Sequence, residues 1–464
     1  MKAKNVELPV VKNEYYEMVI DDIGINGEGI GKIDGYTLFV DGALPEEKIK
    51  VKVIKTKKNF GFGKLINIIE PSIHRIDPVC DIAKRCGGCQ LQHLSYEGQL
   101  SYKQKKVQDI IERIGGITDI KVNKVIGMEN PYFYRNKVQF PVGSMGDESV
   151  NIGFYAMRSH NIITTDKCYI QQPVNKDIIN VVKEYMLKNN VKPYNEVSHK
   201  GVVRHIVTRV SFHTKEIMIG VVINSNRLPN SDELVSNLRE IENVAGIFIS
   251  VNKEKTNVIM GNKIKMLWGK PYITDYIGEV AYNISPLSFY QVNPVQTEKL
   301  YSKVLEFADL SGDEIVWDAY CGIGTISLFL ADKSKKVMGV EIVPEAIEDA
   351  KKNTELNNIS NTEFYVGKAE EVITEKYDDG VRADVIVVDP PRKGCDRELL
   401  ETIIKMHPEK VVYVSCDPGT MARDVKVLGE GGYRVEEIQP VDMFPQTVHT
   451  ECVVLMTKCG SDKK

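Results

Sequence analysis

Residues 411–418 read Val-Val-Tyr-Val-Ser-Cys-Asp-Pro. The first five positions are rich in β-branched and aromatic types and predict a buried strand. Cys416 follows the strand end, and Pro418 stops further pairing. In open α/β sheets, ligands bind beyond the carboxyl ends of the strands. A thiol at that place is aimed into a cleft. The alternative for an unpaired cysteine is a small buried hydrophobe, so the neighbouring segments decide between them.

From Gly312 onward a repeating strand–helix order predicts a parallel, doubly wound sheet. Residues 314–318 form its first strand. Ala319-Tyr-Cys-Gly-Ile-Gly324 is a glycine turn into a helix over 325–331, and such a turn lets a cofactor approach the backbone. The second strand, 336–340, ends in Glu341, placed to accept both ribose hydroxyls of a nucleoside. Pro344 then starts a helix. The turn lacks the third glycine of the dinucleotide fingerprint, and no Walker lysine follows it. That argues against a nicotinamide cofactor or a nucleoside triphosphate and favours S-adenosylmethionine, which has no phosphate to cradle. The fourth strand, 383–388, delivers Asp389-Pro-Pro-Arg392, an orienting carboxylate held rigid by two prolines. The fifth, adjacent strand delivers Cys416. Residues 433–440 and 452–457 read as a terminal antiparallel pair with Glu451 at the start of the last strand. Cys321 and Cys395 end no strand and are assigned structural roles. Cys452 alternates with Glu451 and faces the core; Cys459 lies in the polar tail.

The amino-terminal half has another texture. Residues 1–11 predict a loose tail, and 12–70 predict a small β-barrel with glycine turns at Gly24, Gly27, Gly29, Gly31 and Gly35. Lys48, Lys50 and Lys52 alternate with Ile49, Val51 and Val53, so cations share one face and aliphatics line a core. Seven lysines and no acid lie between Lys48 and Lys64, with Phe60 and Phe62 interleaved, a surface suited to phosphates and bases. Cys80, Cys86 and Cys89 cluster around Gly87-Gly88, and Cys168 is the only other cysteine before the carboxyl-terminal unit. Four thiolates suit zinc or an iron–sulfur cluster, and spacing alone leaves that choice open. Residues 95–117 predict a helix with an apolar face of Leu100, Val107, Ile110, Ile111 and Ile114. Gly115-Gly116 ends it, and Lys103, Lys105 and Lys106 lie on the exposed side; it is a candidate bridge between domains. Tyr132-Phe-Tyr-Arg-Asn-Lys137, together with Arg204-His205 and Arg209, offers aromatics and cations for single-stranded RNA.

The chain has 464 residues, enough for about two to four domains. Its 60 basic and 64 acidic residues give a net charge of −4, so a nucleic-acid site must be a local patch. No apolar run reaches bilayer length, and the start, Met1-Lys-Ala-Lys, lacks a signal-peptide core. A cytoplasmic protein without membrane contact is expected. There, nine cysteines argue for metal or catalysis rather than disulfides.

Residues 12–70 resemble the TRAM domain, an OB-like RNA-binding barrel, through Gly27-Glu-Gly-Ile-Gly-Lys32, Phe39-Val40 and Ala43-Leu-Pro-Glu-Glu47. Nearly the whole chain resembles the RNA uracil-C5 methyltransferases, most closely the iron–sulfur-containing 23S ribosomal RNA branch. Phe289-Tyr-Gln-Val-Asn293, Asp318-Ala-Tyr-Cys-Gly-Ile-Gly324, Asp389-Pro-Pro-Arg392, Ser415-Cys-Asp-Pro418, His449-Thr-Glu451 and the four clustered cysteines carry the likeness. It implies a central iron–sulfur and RNA-binding α+β domain over 71–285 and a Rossmann-like class I methyltransferase domain over 286–464. It implies S-adenosylmethionine contacts from Gln291, Tyr320, Glu341 and Asp389, Cys416 as nucleophile and Glu451 as general base. It also implies a [4Fe–4S] cluster on Cys80, Cys86, Cys89 and Cys168. The expected partner is RNA, 23S ribosomal RNA before transfer RNA, and the expected state is monomeric. Uracil C5 is a poor nucleophile until a thiolate adds to C6, and its proton must leave afterwards, so this chemistry needs a thiol, a methyl donor and a base. An exocyclic amino methyltransferase is disfavoured because Arg392 stands where an aromatic would stack on the acceptor. A non-catalytic iron–sulfur RNA-binding protein would leave the complete thiol and cofactor elements idle.

Overall fold

The computed structural model describes residues 8–144 and 149–460. Five strands close into a barrel: β1 (Tyr15–Ile23), β2 (Gly29–Ile33), β3 (Tyr36–Asp41), β4 (Lys48–Thr56) and β5 (Phe60–Glu70), in the order β1-β2-β3-β5-β4. The alternation in β4 works as its sequence requires: Ile49, Val51 and Val53 are fully buried. Lys50 and Lys52 point outward, their ammonium groups 5.7 and 5.3 Å from the centre of the Tyr15 ring. Gly63 is needed where strands crowd, because a Cβ there would lie 2.2 Å from Val51 Cγ2. The expected tail falls partly outside the described residues, at 1–7. The part that is described is not loose: Val10 is buried in the barrel core, and Leu8 packs against it.

After the barrel comes α1 (Tyr96–Ile110), capped by the Ser95 side chain, which accepts from the Gly98 N–H. It continues through a wider π turn, Ile111–Gly115, to Gly116 at φ 70°. That turn carries an extra residue and shifts the phase of the apolar face, leaving Ile114 47% exposed. Two sides of α1 are engaged. Tyr102 Oη donates to the Gly24 carbonyl and Lys105 pairs with Asp22, both on the barrel side. Lys106 donates to the Val448 carbonyl on the other. Lys103, expected on the exposed side, is instead wholly buried. Its Nζ sits 2.5 Å from Asp442 Oδ1 and also donates to the Phe444 carbonyl.

The middle of the chain builds one seven-stranded sheet, in the order β12-β11-β10-β9-β6-β7-β8. Its strands are β6 (Lys137–Gly143), β7 (Asn151–Tyr155), β8 (Ile162–Thr164), β9 (Val203–Val210), β10 (Ile217–Ile223), β11 (Val244–Val251) and β12 (Lys263–Gly269). Only β10 and β11 run parallel. Helices α2 (Asn175–Lys188) and α3 (Ser231–Leu238) pack on it through Ile178, Val182, Leu234 and Leu238. Met218 and Phe248 instead join the apolar core of the carboxyl-terminal unit. Both faces of β9 are therefore covered, and Arg204, His205 and Arg209 are buried rather than available to RNA. Arg204 spends its guanidinium on the Asn252 and Glu254 carbonyls. In the stretch 132–137, Tyr134 and Asn136 are buried as well, and Phe133 alone is classed as exposed.

A hairpin, β13 (Ile273–Ile277) and β14 (Val280–Ile284), leads into α4 (Pro294–Ala308) and the second seven-stranded sheet. Its elements are β15 (Ile315–Ala319), α5 (Thr325–Ala331), β16 (Lys336–Glu341), α6 (Pro344–Leu356), β17 (Thr362–Val366), α7 (Ala369–Asp378), β18 (Val385–Val388), α8 (Arg397–Met406), β19 (Lys410–Ser415), α9 (Pro418–Glu430), β20 (Tyr433–Val441) and β21 (Glu451–Lys458). The strand order is β17-β16-β15-β18-β19-β21-β20, parallel from β17 to β19, with β21 antiparallel to both neighbours. The direction of winding reverses between β15 and β18, the crevice where such sheets bind ligands. Residues Asn123 and Ile126 bond along the outer edge of β20, covering an otherwise open strand. Among the described residues no helix is long and apolar enough to cross a membrane.

Lys103→Met leaves Asp442 buried without its counter-charge and is expected to destabilise the protein by about 3–5 kcal/mol, whereas Lys103→Met with Asp442→Leu recovers most of the loss. Urea unfolding of the two variants checks this; equal losses would contradict it.

Candidate active site

Strand register assembles the cleft. Ala319 pairs with Val388 across β15 and β18, Val388 with Tyr413 across β18 and β19, and Ser415 with Cys452 across β19 and β21. The next residues outward are Tyr320, Asp389, Cys416 and Glu451. Four strands thus emit the four side chains along one edge, three from carboxyl ends and one from an amino end.

The turn that holds Cys416 is locked by its own sequence. Ser415 Oγ accepts from the Asp417 N–H at 3.0 Å and donates to the Asp417 carbonyl at 3.0 Å. Asp417 caps α9, its Oδ1 accepting from the N–H groups of Gly419 and Thr420 at 2.8 and 3.2 Å. Pro418 is the first residue of that helix, where its missing N–H costs nothing and its fixed φ fits. Each residue of Ser-Cys-Asp-Pro therefore has a backbone duty except the cysteine, whose thiol is half-buried.

The electrostatics are acidic. Burial, reinforced by Asp389, pushes the Glu451 carboxyl up to about 8, with Arg392 opposing. Burial pushes Asp389 up to about 6. The Cys416 thiol rises to about 11, first through burial, then through the charges of Glu451 and Asp389, with Arg392 again opposing. Burial and the two carboxyls outweigh Arg392, so the resting group is the thiol rather than the thiolate. Arg392, the last residue of Asp389-Pro-Pro-Arg392, carries no assigned role in the sequence; its charge acts on both Cys416 and Glu451 in this cleft.

The cofactor side is equally ordered. The Glu341 carboxylate accepts from the Val343 N–H at 3.0 Å and the Gly322 N–H at 3.2 Å, which fixes it beside the glycine turn. Tyr320 stands in that turn at φ 70°, a left-handed conformation unfavourable for a residue with a side chain. Gln291 is buried, its carbonyl held by Asn136 Nδ2 at 2.8 Å. Asn293 caps α4 and donates to the Met443 carbonyl at 3.0 Å. Asp318, quoted in the motif but given no role, is fully buried; Ser327 satisfies one oxygen, and the other has no partner among the described residues.

Cys80, Cys86, Cys89 and Cys168 line one cavity of 380 Å³, together with Arg135 and Lys137. Burial and the charges of the neighbouring thiols push Cys89 up to about 11 and Cys168 up to about 12. Among the described residues no three Cys, His, Asp or Glu side chains are close enough to hold a single metal ion. Four thiols around one cavity are a donor set suited to zinc or to an iron–sulfur group.

The tRNA (uracil-5-)-methyltransferase family matches residues 95–459, and the TRAM domain family matches residues 9–66. An uncharacterized RNA methyltransferase of Clostridium tetani is 54% identical over 459 residues, covering 99% of both chains. Another, from Halalkalibacterium halodurans, is 52% identical and covers 97% of this chain and 98% of its own. The crystal structure of Pyrococcus abyssi tRNA (uracil-54, C5)-methyltransferase in complex with S-adenosyl-L-homocysteine superposes with a TM-score of 0.78 at 30% identity, covering 95% of this chain and 99% of the other. With a thiol, a carboxylate and a nucleoside-type cleft on one sheet edge behind a closed barrel, the chain belongs to the tRNA (uracil-5-)-methyltransferase family and is an S-adenosylmethionine-dependent RNA uracil-5-methyltransferase.

Proposed function

We propose that Cys416 is the nucleophile and Glu451 the base of this methylation. The observation that carries the reading is the β19–β21 register, which sets Cys416 and Glu451 side by side next to Asp389. The Cys416 thiol gives its proton to solvent as its sulfur bonds to C6 of the uracil, and the displaced π electrons enrich C5. S-adenosylmethionine, when bound, supplies a methyl group on a sulfonium centre. Glu451 then takes the C5 proton; those electrons re-form the C5–C6 double bond and the sulfur leaves as thiolate. A cationic donor in the cleft favours the ionised form of Glu451 against the effect of burial. Gln291, Tyr320, Glu341 and Asp389 hold the donor, Glu341 at the ribose and Asp389 orienting the reacting groups.

The partner is RNA, met first by the barrel face where Phe39, Phe60 and Phe62 pack ring against ring among lysines. The target we propose is 23S ribosomal RNA, with the protein acting as a cytoplasmic monomer. Transfer RNA is the second reading, favoured by the likeness to the Pyrococcus abyssi enzyme. The four-cysteine cavity suits a [4Fe–4S] cluster, a group that four thiolates hold without a vacant position. The thiols of Cys80, Cys86, Cys89 and Cys168 would be its ligands.

RNA carrying 5-fluorouridine is expected to form a covalent complex with the protein, because fluorine cannot leave as the proton does. Cys416→Ala abolishes that complex and lowers methylation by roughly a thousandfold or more; full activity in this variant would remove the mechanism. Glu451→Gln should instead accumulate the methylated adduct on ordinary RNA, seen as a retarded band on denaturing gels. Comparing 5-methyluridine in ribosomal and transfer RNA from a deletion strain decides the substrate. The raised Glu451 carboxyl also predicts a pH effect. The folded chain keeps a proton that the unfolded chain releases above its ordinary value of 4.5, so this group's contribution to stability falls as pH rises from about 4.5 to about 8. Thermal melts should show Glu451→Gln gaining a few degrees on the wild type at pH 8.5 relative to pH 5.

A further inference from the structure

The thiol cavity and the cofactor loop are built on the same piece of chain. Entering β6, the sequence reads Arg135-Asn136-Lys137, and successive side chains of extended chain point to opposite sides. Arg135 and Lys137 line the thiol cavity. Asn136, between them, is buried and turns to the cofactor loop: its Nδ2 donates to the Gln291 carbonyl at 2.8 Å, and its backbone N–H donates to the Val292 carbonyl at 2.8 Å. Arg209, the cross-strand neighbour of Lys137, is buried and donates through Nη2 to the Ser288 carbonyl. The loop bearing Gln291 is thus gripped at residues 288, 291 and 292, each time from the cavity wall or the strand beside it.

We infer that Asn136 is a positioning residue through which occupancy of the four-cysteine cavity sets affinity for S-adenosylmethionine at Gln291. The inference rests on the cluster reading and on the cofactor role of Gln291. A four-thiolate iron–sulfur group brings net negative charge, and Arg135 and Lys137, with Lys167 from another segment, are the basic side chains lining the cavity it would occupy. Holding Arg135 and Lys137 fixes the strand that carries Asn136, and Asn136 fixes the loop. Coupling of this kind is reciprocal: whatever factor the cluster adds to cofactor affinity, the cofactor adds to cluster retention.

The test uses full-length protein purified without oxygen, with iron counted per chain. S-adenosylhomocysteine binding is measured by calorimetry on loaded protein and on protein stripped with chelator, for the wild type and for Asn136→Ala. Stripping is expected to weaken wild-type binding about tenfold, the range of one to two hydrogen bonds. Loaded Asn136→Ala should show the same loss, and stripping it should add nothing further. In the reverse direction, S-adenosylhomocysteine should slow iron loss to chelator from the wild type but not from the variant, a readout that needs no stripped protein. Asn136→Ser replaces the alanine variant if the latter does not fold. Iron-loaded wild type whose ligand neither weakens on stripping nor protects the iron overturns the inference alone. Protein that carries no iron at all overturns the cluster reading, and the inference with it.

Discussion

An ion pair sealed from water joins the parts of this molecule. Lys103 of α1 and Asp442, just beyond β20, are both fully buried, and each has further partners: the Phe444 carbonyl for the ammonium, Tyr96 Oη for the carboxylate. Such a pair is stable only because those hydrogen bonds replace lost hydration. Its placement matters more than its strength. Residues 442–450 run from β20 back to Glu451, and α1 grips them at Asp442, Phe444, Gln446 and Val448. The carboxylate of the site therefore stands at the end of a braced segment rather than a free loop.

The cleft that follows is an acidic enclosure. Two carboxyls and a half-buried thiol share this space, and Arg392 is the cation acting on both Cys416 and Glu451. Burial is the first cause of each raised proton affinity; carboxyl charges add to it at Cys416 and Glu451, where Arg392 opposes. An incoming positive charge favours the ionised form of each carboxyl against the effect of burial.

Much of this was legible in the sequence because local rules decided it. The alternation in β4, the helix over 325–331, Glu341 at the end of β16 and Cys416 at the end of β19 all depend on periodicity and on residues that start or stop elements. The failures share a cause. Lys103 was read as exposed because its partner lies 339 positions away, and a helical pattern cannot name it. Arg204, His205 and Arg209 read as surface cations because a strand covered on both faces looks polar until the covering layers are known. Ile114 fell off its face through one wide helical turn, and Val10 read as tail because its neighbours across the barrel are remote in the chain. The roles of Asn136 and Asp318 were hidden for the same reason: their importance lies in which groups they face.

The barrel's turn between β1 and β2 touches the catalytic unit directly. Val448 Cγ1 lies 3.1 Å from where a Cβ on Gly27 would be, and Val448 packs with Leu44, Leu91, Leu94 and Tyr102 in a small apolar knot. A module docked this way cannot swing on a tether. It behaves as a fixed jig: its packed contacts set where the barrel stands relative to the mouth of the cleft.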